Sequence, residues 1–300
     1  MRAALLRTPL LAMRQSCWLH LGPPRWAVSK SLLAALRKRT GFSISNCKKA
    51  LEMHENDVEK AESWLQEQAQ AQGWEKATKL SGRKTAQGLV GIHIEGQSGA
   101  MVEVNCETDF VARNEKFTSL VSEVTRDFFV HGGTQATQTL GIVKESFSEE
   151  QLKTLPVGDG KTLGDKLALA IGSIGENMNL ARATRLTTQA DTQLVGYCHP
   201  STVDEDLKLG RYGVIVAFKA SGPLTEVAKQ LCVHIIGMNP KTIGMESDPK
   251  AENPDEEKVL VHQEFLSDPE VTVSEVLHRE GLNIVDFVRY EAGETQDKAE

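Results

Sequence analysis

The spacing of apolar residues changes near Gly88, and this change constrains the fold more than any other feature of the sequence. Before it, residues 30–73 carry apolar residues at helical spacing in three short runs. Thr40-Gly41 separates the first run from the second, and Asn56-Asp57 can cap the third. The pattern predicts a compact three-helix module over residues 31–80.

After Gly88 the pattern becomes that of strands. Residues 89–95, a Gly96-Gln97-Ser98-Gly99 turn and residues 100–106 predict a hairpin, and a helix is expected over residues 114–130. The same order returns about one small domain later, in strands over residues 193–199 and 211–219 and a helix over residues 224–236.

The repeated order predicts an α+β core of two related halves, each an antiparallel sheet backed by helices, over residues 86–190 and 191–300. Val90-Gly91-Ile92-His93 opens the first half, and Val195-Gly196-Tyr197-Cys198-His199 opens the second. Residues 240–257 are acidic and contain three prolines, which favours a surface loop. Beyond the loop we expect a strand over residues 258–265, a helix over 272–280 and a final strand over 282–291.

Charge is distributed unevenly along the chain. Residues 1–30 contain arginine and lysine, interleaved with leucine, and no acid, although the whole chain has a formal net charge of −7. This composition predicts a mitochondrial transit peptide over residues 1–30, with a disordered basic tail as the alternative. The acidic remainder argues against a broad basic face for nucleic acid, so we expect a protein partner and no direct nucleic-acid contact. Because no apolar run approaches the length needed to cross a bilayer, we expect no membrane contact.

The motifs of catalysis and cofactor binding are weak. Five widely separated cysteines show no metal-site spacing, which favours free thiols. Gly158-Asp159-Gly160-Lys161-Thr162 resembles the end of a phosphate loop, but the first glycine of that loop would fall at Leu155, and residues 149–154 indicate a helix in place of the required strand. We therefore predict a polar turn there, no cofactor, no metal and no catalytic residue.

The segment from Asn105 to Phe117 leaves a hydrophobic strand, turns and enters a helix. Chemistry alone favours a helix start in which Thr108 or Asp109 is the cap and Phe110 packs on the core. The alternative is an exposed aromatic side chain that contacts a partner.

The segment Thr108-Asp109-Phe110-Val111-Ala112 resembles the corresponding motif of the elongation factor Ts family, which releases GDP from elongation factor Tu. The resemblance covers roughly residues 30–295 in the family's own order. It also includes these segments: Leu36-Arg37 with Thr40-Gly41, Cys47-Lys48-Lys49-Ala50-Leu51, residues 61–65, Gly175-Glu176-Asn177-Met178-Asn179, residues 210–216, 233–241 and 258–265, and Phe287-Val288-Arg289-Tyr290-Glu291.

The resemblance implies a ubiquitin-associated-like fold for the three-helix module and nucleotide exchange on elongation factor Tu as the function. It assigns the exchange contact to Thr108, Asp109, Phe110, Val111 and His234. A second contact is implied for the first helix of the module, at Arg37, Lys38, Arg39, Thr40 and Gly41. We expect His234 at the half-exposed edge of its helix.

Bacterial members of the family carry a long helical insertion, and only the short 240–257 segment could occupy that place here. With the basic leader, this departure favours a mitochondrial member, located in the matrix. Two other functions stay open at this point: a ubiquitin-associated adaptor without exchange activity, and a nucleotide-hydrolysing enzyme that uses the Gly160-Lys161-Thr162 turn. We expect no direct nucleotide binding by the chain.

Overall fold

The computed structural model describes residues 28–40, 42–133, 141–158, 160–200, 207–220 and 222–294. The chain divides into two compact units, one through Leu65 and one from Gln66. The first unit contains α1 (Lys30–Thr40), α2 (Ile44–Met53) and the start of α3 (Val58–Leu80), a helix that continues into the second unit. The three helices are therefore present, but the third continues past Gly73, where the sequence pattern predicted its end.

The helices of the first unit are held by a small apolar cluster. Ser43 caps α2 by accepting a hydrogen bond from the Asn46 amide at 3.2 Å. The helical spacing of the apolar residues brings one stripe of each helix to the centre. The buried members are Leu36, Cys47, Ala50, Leu51, Ala61 and Leu65.

The second unit contains the strands and the remaining helices. Its strands are β1 (Gln87–Glu95), β2 (Ser98–Cys106), β3 (Val143–Ser148), β4 (Met178–Thr187), β5 (Thr192–His199), β6 (Leu207–Gly210), β7 (Tyr212–Ala220), β8 (Glu264–Phe265), β9 (Asp268–Thr272) and β10 (Leu282–Glu291). Its further helices are α4 (Asp109–Ala112), α5 (Glu115–His131), α6 (Glu149–Thr154), α7 (Leu163–Ile174), α8 (Glu226–Met238) and α9 (Val273–Glu280). The predicted α+β class is confirmed.

The strands form a five-stranded antiparallel sheet in the order β3-β4-β2-β1-β6 and a three-stranded antiparallel sheet in the order β10-β7-β5. β8 and β9 form a separate two-stranded ribbon. The β1–β2 hairpin turns on two residues, Gly96 and Gln97, fewer than the four predicted, because Glu95 already pairs with Ser98. Gly96 supplies the positive φ of 56° that a tight hairpin turn requires.

Strand alternation divides the core of this unit into layers. One face of the five-stranded sheet packs on α5, α6 and α7, and one face of the three-stranded sheet packs on α8 and α9. The inner faces of the two sheets share a third cluster that includes Val90 and Ile92 of β1 and Ile215 of β7.

Two glycines allow the two sheets to approach closely. A Cβ at Gly213 of β7 would lie 2.6 Å from Cγ1 of Val90. A Cβ at Gly196 of β5 would lie 2.8 Å from Cγ2 of Ile92. Only glycine fits at these separations, so the two sheets are in direct van der Waals contact.

The predicted strand over residues 258–265 is wrong. The backbone amides of Leu260 and Val261 donate to the carbonyls of Thr242 and Ile243 in the preceding loop, and residues 260–262 form a 3₁₀ helix. Within residues 258–265, β-structure is limited to a single bridge between Val259 and Thr242 and to the short strand Glu264–Phe265. An apolar run of this length is typical of a strand, but its hydrogen bonds here go to the loop.

Candidate functional site

The segment between β2 and α5, residues 107–114, is a rigid corner that we call the Phe110 turn. Thr108 is the N-cap of α4, and its Oγ1 accepts a hydrogen bond from the Val111 amide at 3.3 Å. Six residues after Thr108, Asn114 caps α5, and its side-chain oxygen accepts a hydrogen bond from the Lys116 amide at 2.9 Å. Two successive caps leave this backbone little conformational freedom.

Phe110 points into solvent from this corner. It is 82% exposed, whereas Phe117 and Phe128, on the following helix, are fully buried. The expectation that Phe110 packs on the core is therefore wrong. Val111 takes the core position instead and packs against the cluster behind β2. An aromatic side chain so exposed on a fixed backbone is suited to insertion into a partner.

Asp109 lies beside Phe110 at the start of α4 and is half-exposed. Its Oδ2 lies 3.4 Å from a guanidinium nitrogen of Arg113, one helical turn later. Ion pairs at such exposed positions contribute little to stability, so this contact leaves the carboxylate available to another cation.

The Phe110 turn is tied to the segment that enters β4. Thr108 Oγ1 donates to the Glu176 carboxylate at 3.0 and 3.1 Å, and the Asn177 amide donates to Glu107 Oε1 at 2.7 Å. Arg83 adds an ion pair to Glu107 at 3.4 Å. These bonds fix the turn to the end of the β2–β4 pair, inside the five-stranded sheet.

Cys106 supports the turn from below. Its buried thiol donates to the Thr108 carbonyl at 3.2 Å. Burial, and next to it the negative charge of Glu176, raises the pKa of this thiol to about 12. It is therefore a structural thiol and not a nucleophile. Cys47, Cys198 and Cys232 are also buried and free, as predicted, while Cys17 lies outside the described residues.

A groove runs beside Phe110 across the end of the hairpin. Apolar atoms of Leu89, Ala112, Pro200 and Leu209 line it. Charged residues of both signs line it as well, namely Glu107, Asp109, Arg113 and Arg211. The groove and the exposed ring form one continuous surface that combines apolar area with charge, as is typical of protein interfaces.

His234 lies in the other layer of the core, on α8, and is 0% exposed. The expected half-exposed edge position is wrong. Nε2 bonds to Gln263 Oε1 at 3.0 Å, and Nδ1 accepts from the Leu266 amide at 3.1 Å. Burial lowers the pKa of His234, which favours the neutral ring protonated at Nε2. The ring therefore fixes the 263–266 segment and does not itself reach the surface.

The predicted contact residues of the first unit lie at the end of α1. Arg37, Lys38 and Arg39 are exposed, and Arg39 forms an ion pair with Glu62. Thr40 Oγ1 donates to the Leu36 carbonyl at 2.7 Å, while Gly41 lies outside the described residues. Basic residues in the last turn also interact favourably with the helix dipole.

Two family models match the chain. The model described as "Elongation factor Ts, mitochondrial, N-terminal" matches residues 16–75, and the model described as "Elongation factor TS" matches residues 107–258. Mitochondrial elongation factor Ts of Aedes aegypti is 49% identical over 272 residues, which cover 88% of each chain. The chain belongs to the mitochondrial elongation factor Ts family.

Other relatives support the same family. Mitochondrial elongation factor Ts of Drosophila melanogaster is 47% identical and covers 91% of this chain and 88% of its own. That of Homo sapiens is 41% identical and covers 91% of this chain and 86% of its own. This member of the elongation factor Ts family is therefore a mitochondrial translation elongation factor, as predicted. The transit peptide itself stays a prediction, since residues 1–27 lie outside the described part of the chain.

The site predicted for this elongation factor Ts family member separates into distinct places. Thr108, Asp109, Phe110 and Val111 share one turn, but Val111 faces the core, and His234 lies in a different cluster. Glu107 and Glu176 received no role from the sequence, although they hold the turn. Apolar Met178 and Leu180 on either side of polar Asn179 indicate the start of a strand after Glu176. Only the pairing of β2 with β4 brings the two glutamates together.

The Gly158–Thr162 segment of this elongation factor Ts family member is a turn that leads into a helix. Lys161 donates its amide to the Gly158 carbonyl at 3.0 Å, and Thr162 caps α7 in a reciprocal pair with Asp165. α6 precedes the turn, as predicted, so the strand that a phosphate loop requires does not precede it. Asp159 lies outside the described residues.

Within the described ranges, no cluster of three or more His, Cys, Asp or Glu side chains could hold a metal ion. The same ranges contain no helix that is both long enough and apolar enough to cross a membrane.

Proposed function

We propose that this chain is the guanine-nucleotide exchange factor of mitochondrial elongation factor Tu. It binds the GDP-bound GTPase and promotes GDP release, so that GTP can bind during elongation. The observation that carries this proposal is the 82% exposure of Phe110 on a doubly capped turn. An apolar ring held in water has no role in stabilising the free chain, whereas buried in a partner it contributes strongly to binding.

Exchange needs no group that makes or breaks a bond. The factor accelerates GDP release when it binds the nucleotide-free GTPase more tightly than the loaded form. The coupling is reciprocal, so GTP binding weakens the affinity of the factor for the GTPase by the same free energy. By resemblance to the family, we propose that Asp109 and Phe110 contact the GTPase near its magnesium site. The half-exposed carboxylate of Asp109 and the exposed ring of Phe110 suit that contact.

Thr108, Val111 and His234 serve the contact indirectly. Thr108 caps the turn, and Val111 anchors it to the core. His234 accepts a hydrogen bond from the backbone amide of Leu266, and the side chain of Leu266 is exposed. His234 therefore contributes to partner binding through the 263–266 segment. A substitution at any of the three changes the shape of the surface more than its chemistry.

The first unit supplies a second surface. We propose that α1, α2 and the start of α3 form a ubiquitin-associated-like module, in which Arg37, Lys38, Arg39, Thr40 and Gly41 contact an acidic patch of elongation factor Tu. The exposed basic side chains at the end of α1 support this contact. Electrostatic complementarity of this kind raises the rate of encounter more than the final affinity.

The test is release of fluorescent GDP from mitochondrial elongation factor Tu by catalytic amounts of the chain. We expect acceleration that is lost when Asp109→Ala and Phe110→Ala are combined. Val130→Ala is the matched control, since Val130 is an exposed apolar residue of α5 outside the Phe110 turn. No acceleration by the folded chain, with an active GTPase, rules out the exchange function. The chain alone is expected to bind neither GDP nor nucleic acid.

A further inference from the structure

The hydrogen bonds that hold the Phe110 turn continue a strand ladder beyond its end. β2 and β4 pair antiparallel, and their last partners are Cys106 and Met178. The next residues in the same register are Glu107 opposite Asn177, and then Thr108 opposite Glu176. Both pairs are bonded, the first from amide to side chain and the second from side chain to side chain.

The Thr108 hydroxyl both donates and accepts a hydrogen bond, and so connects Glu176 to the cap of α4. Its single proton is donated to the Glu176 carboxylate at 3.0 Å, and its oxygen accepts the Val111 amide proton at 3.3 Å. A hydrogen bond to a carboxylate is charge-assisted, and donation by a hydroxyl strengthens it as an acceptor. Glu176 therefore strengthens the cap that sets the direction of α4, whose second residue is Phe110.

We propose that Glu176 is a positioning residue for Phe110: by holding the Thr108 hydroxyl, it keeps the Phe110 turn in one conformation. The consequence for GDP release rests on the exchange function proposed above. Glu176 lies outside the strand and is only partly buried, so its loss leaves the β2–β4 ladder in place. The Glu107–Asn177 bond continues to hold the two segments together, and the effect is confined to the cap.

The hydrogen-exchange rate of the Val111 amide reports directly on the cap, because this amide donates to Thr108 Oγ1. The measurement needs no partner protein. In Glu176→Ala we expect this amide to exchange about fivefold faster, the size of a weakened N-cap, while amides of the β2–β4 ladder keep their protection. Glu176→Gln retains an acceptor oxygen and should restore most of the protection. Thr108→Ser retains the hydroxyl and should behave like wild type, whereas Thr108→Val should exceed Glu176→Ala. Glu280→Ala, which removes a partly buried carboxylate on α9, is the matched control.

GDP release supplies the second readout. Glu176→Ala should lower the rate of release about fivefold in the wild-type background and have little effect when Phe110→Ala is already present, because the two residues act through one contact. Thermal unfolding should stay close to wild type for both single variants.

Three results decide the matter. If the Val111 amide exchanges at the wild-type rate in Glu176→Ala, the proposal is overturned. It is also overturned if this amide exchanges faster while an active chain still releases GDP at the wild-type rate. If the Val111 amide exchanges faster in Glu176→Ala but the wild-type chain does not accelerate GDP release, Glu176 does hold the turn. The exchange function is then overturned instead.

Discussion

The Phe110 turn and the surroundings of His234 use a polar network next to a helix in opposite ways. In the first, an aromatic ring is directed into water and a short polar network holds the backbone beneath it. In the second, an imidazole is directed into the core, and the polar network is completed around the ring itself. Both residues occur in segments that resemble one family, yet only one of them is available to a partner.

The difference shows that a contact residue and its support are separate roles. Phe110 can be truncated without leaving a cavity, because it fills none. His234 cannot, because Gln263 and the Leu266 amide depend on it. Substitutions at the two positions should therefore affect different quantities.

Phe110→Ala should have the largest effect on function. We expect GDP release to slow by roughly 30-fold, corresponding to about 2 kcal/mol for the loss of an interface anchor. The melting temperature should stay within error of wild type, since no buried contact is removed. Fluorescent GDP release and thermal unfolding, measured on the same preparation, test this. A lowered melting temperature with unchanged release per folded molecule would show that the ring serves the core.

His234→Ala should have the largest effect on stability. Removal of the ring leaves the side-chain oxygen of Gln263 and the backbone amide of Leu266 without their partner inside the protein, which costs about 3 kcal/mol. Urea unfolding measures this loss. Phe218, buried on β7, provides the comparison: Phe218→Leu creates a cavity without a polar defect. Wild-type stability in His234→Ala would contradict the network described for this ring.

The pKa of His234 predicts a dependence of stability on pH. Burial lowers the pKa in the folded chain, so below pH 6.5 the unfolded chain binds a proton more readily than the folded one. The neutral ring thus contributes its full stability above pH 6.5, and this contribution is lost as the pH falls toward the folded pKa. In His234→Gln the free energy of unfolding should fall less over that range, which urea titrations at several pH values can test. If the free energy of unfolding changes equally with pH in wild type and variant, the protonation of His234 does not contribute to the pH dependence.

Asp109→Asn should have a moderate effect. Loss of the charge should slow GDP release by about threefold to tenfold, and the free energy of unfolding should change by less than about 0.5 kcal/mol because the pair with Arg113 is exposed. Arg113→Ala breaks the same ion pair and leaves the carboxylate in place. If both variants slow release equally, the ion pair and not the carboxylate is what the partner requires.

Lys38→Ala should have the smallest effect, about a twofold loss of affinity for elongation factor Tu that disappears at high salt. Arg39→Ala is the comparison within α1, because Arg39 already pairs with Glu62 and its loss also affects the first unit itself. Affinity measured at two ionic strengths separates the cases. A salt-independent loss at Lys38 would indicate a buried contact in place of a basic surface.

Periodicity predicted the elements that bury one face. The helix expected over residues 114–130 is present as α5, and its stripe of Phe117, Leu120, Val121, Val124 and Phe128 is buried. The same holds for the hairpin of β1 and β2, whose Gly-containing turn is visible in the sequence. In these elements local propensity and packing agree, and the sequence pattern is sufficient.

Periodicity failed where hydrogen bonds leave the local segment. The apolar residues 259–261 indicate a strand, but the amides of Leu260 and Val261 donate to the carbonyls of Thr242 and Ile243. β6 follows β5 in the chain yet pairs with β1, and no local pattern specifies such a partner. The site shows the same limit: the motif around Phe110 is visible in the sequence, whereas its connection to Glu176, 68 residues away, depends on strand register.

The two glycines that bring the sheets together have a mechanical consequence. With Gly196 against Ile92 and Gly213 against Val90, the two sheets leave no room for even one added methyl group at these points. Close-packed interiors of this kind have low compressibility and transmit strain. Under the exchange function proposed above, Phe110 therefore projects from a close-packed unit that we expect to deform little when the ring enters the partner.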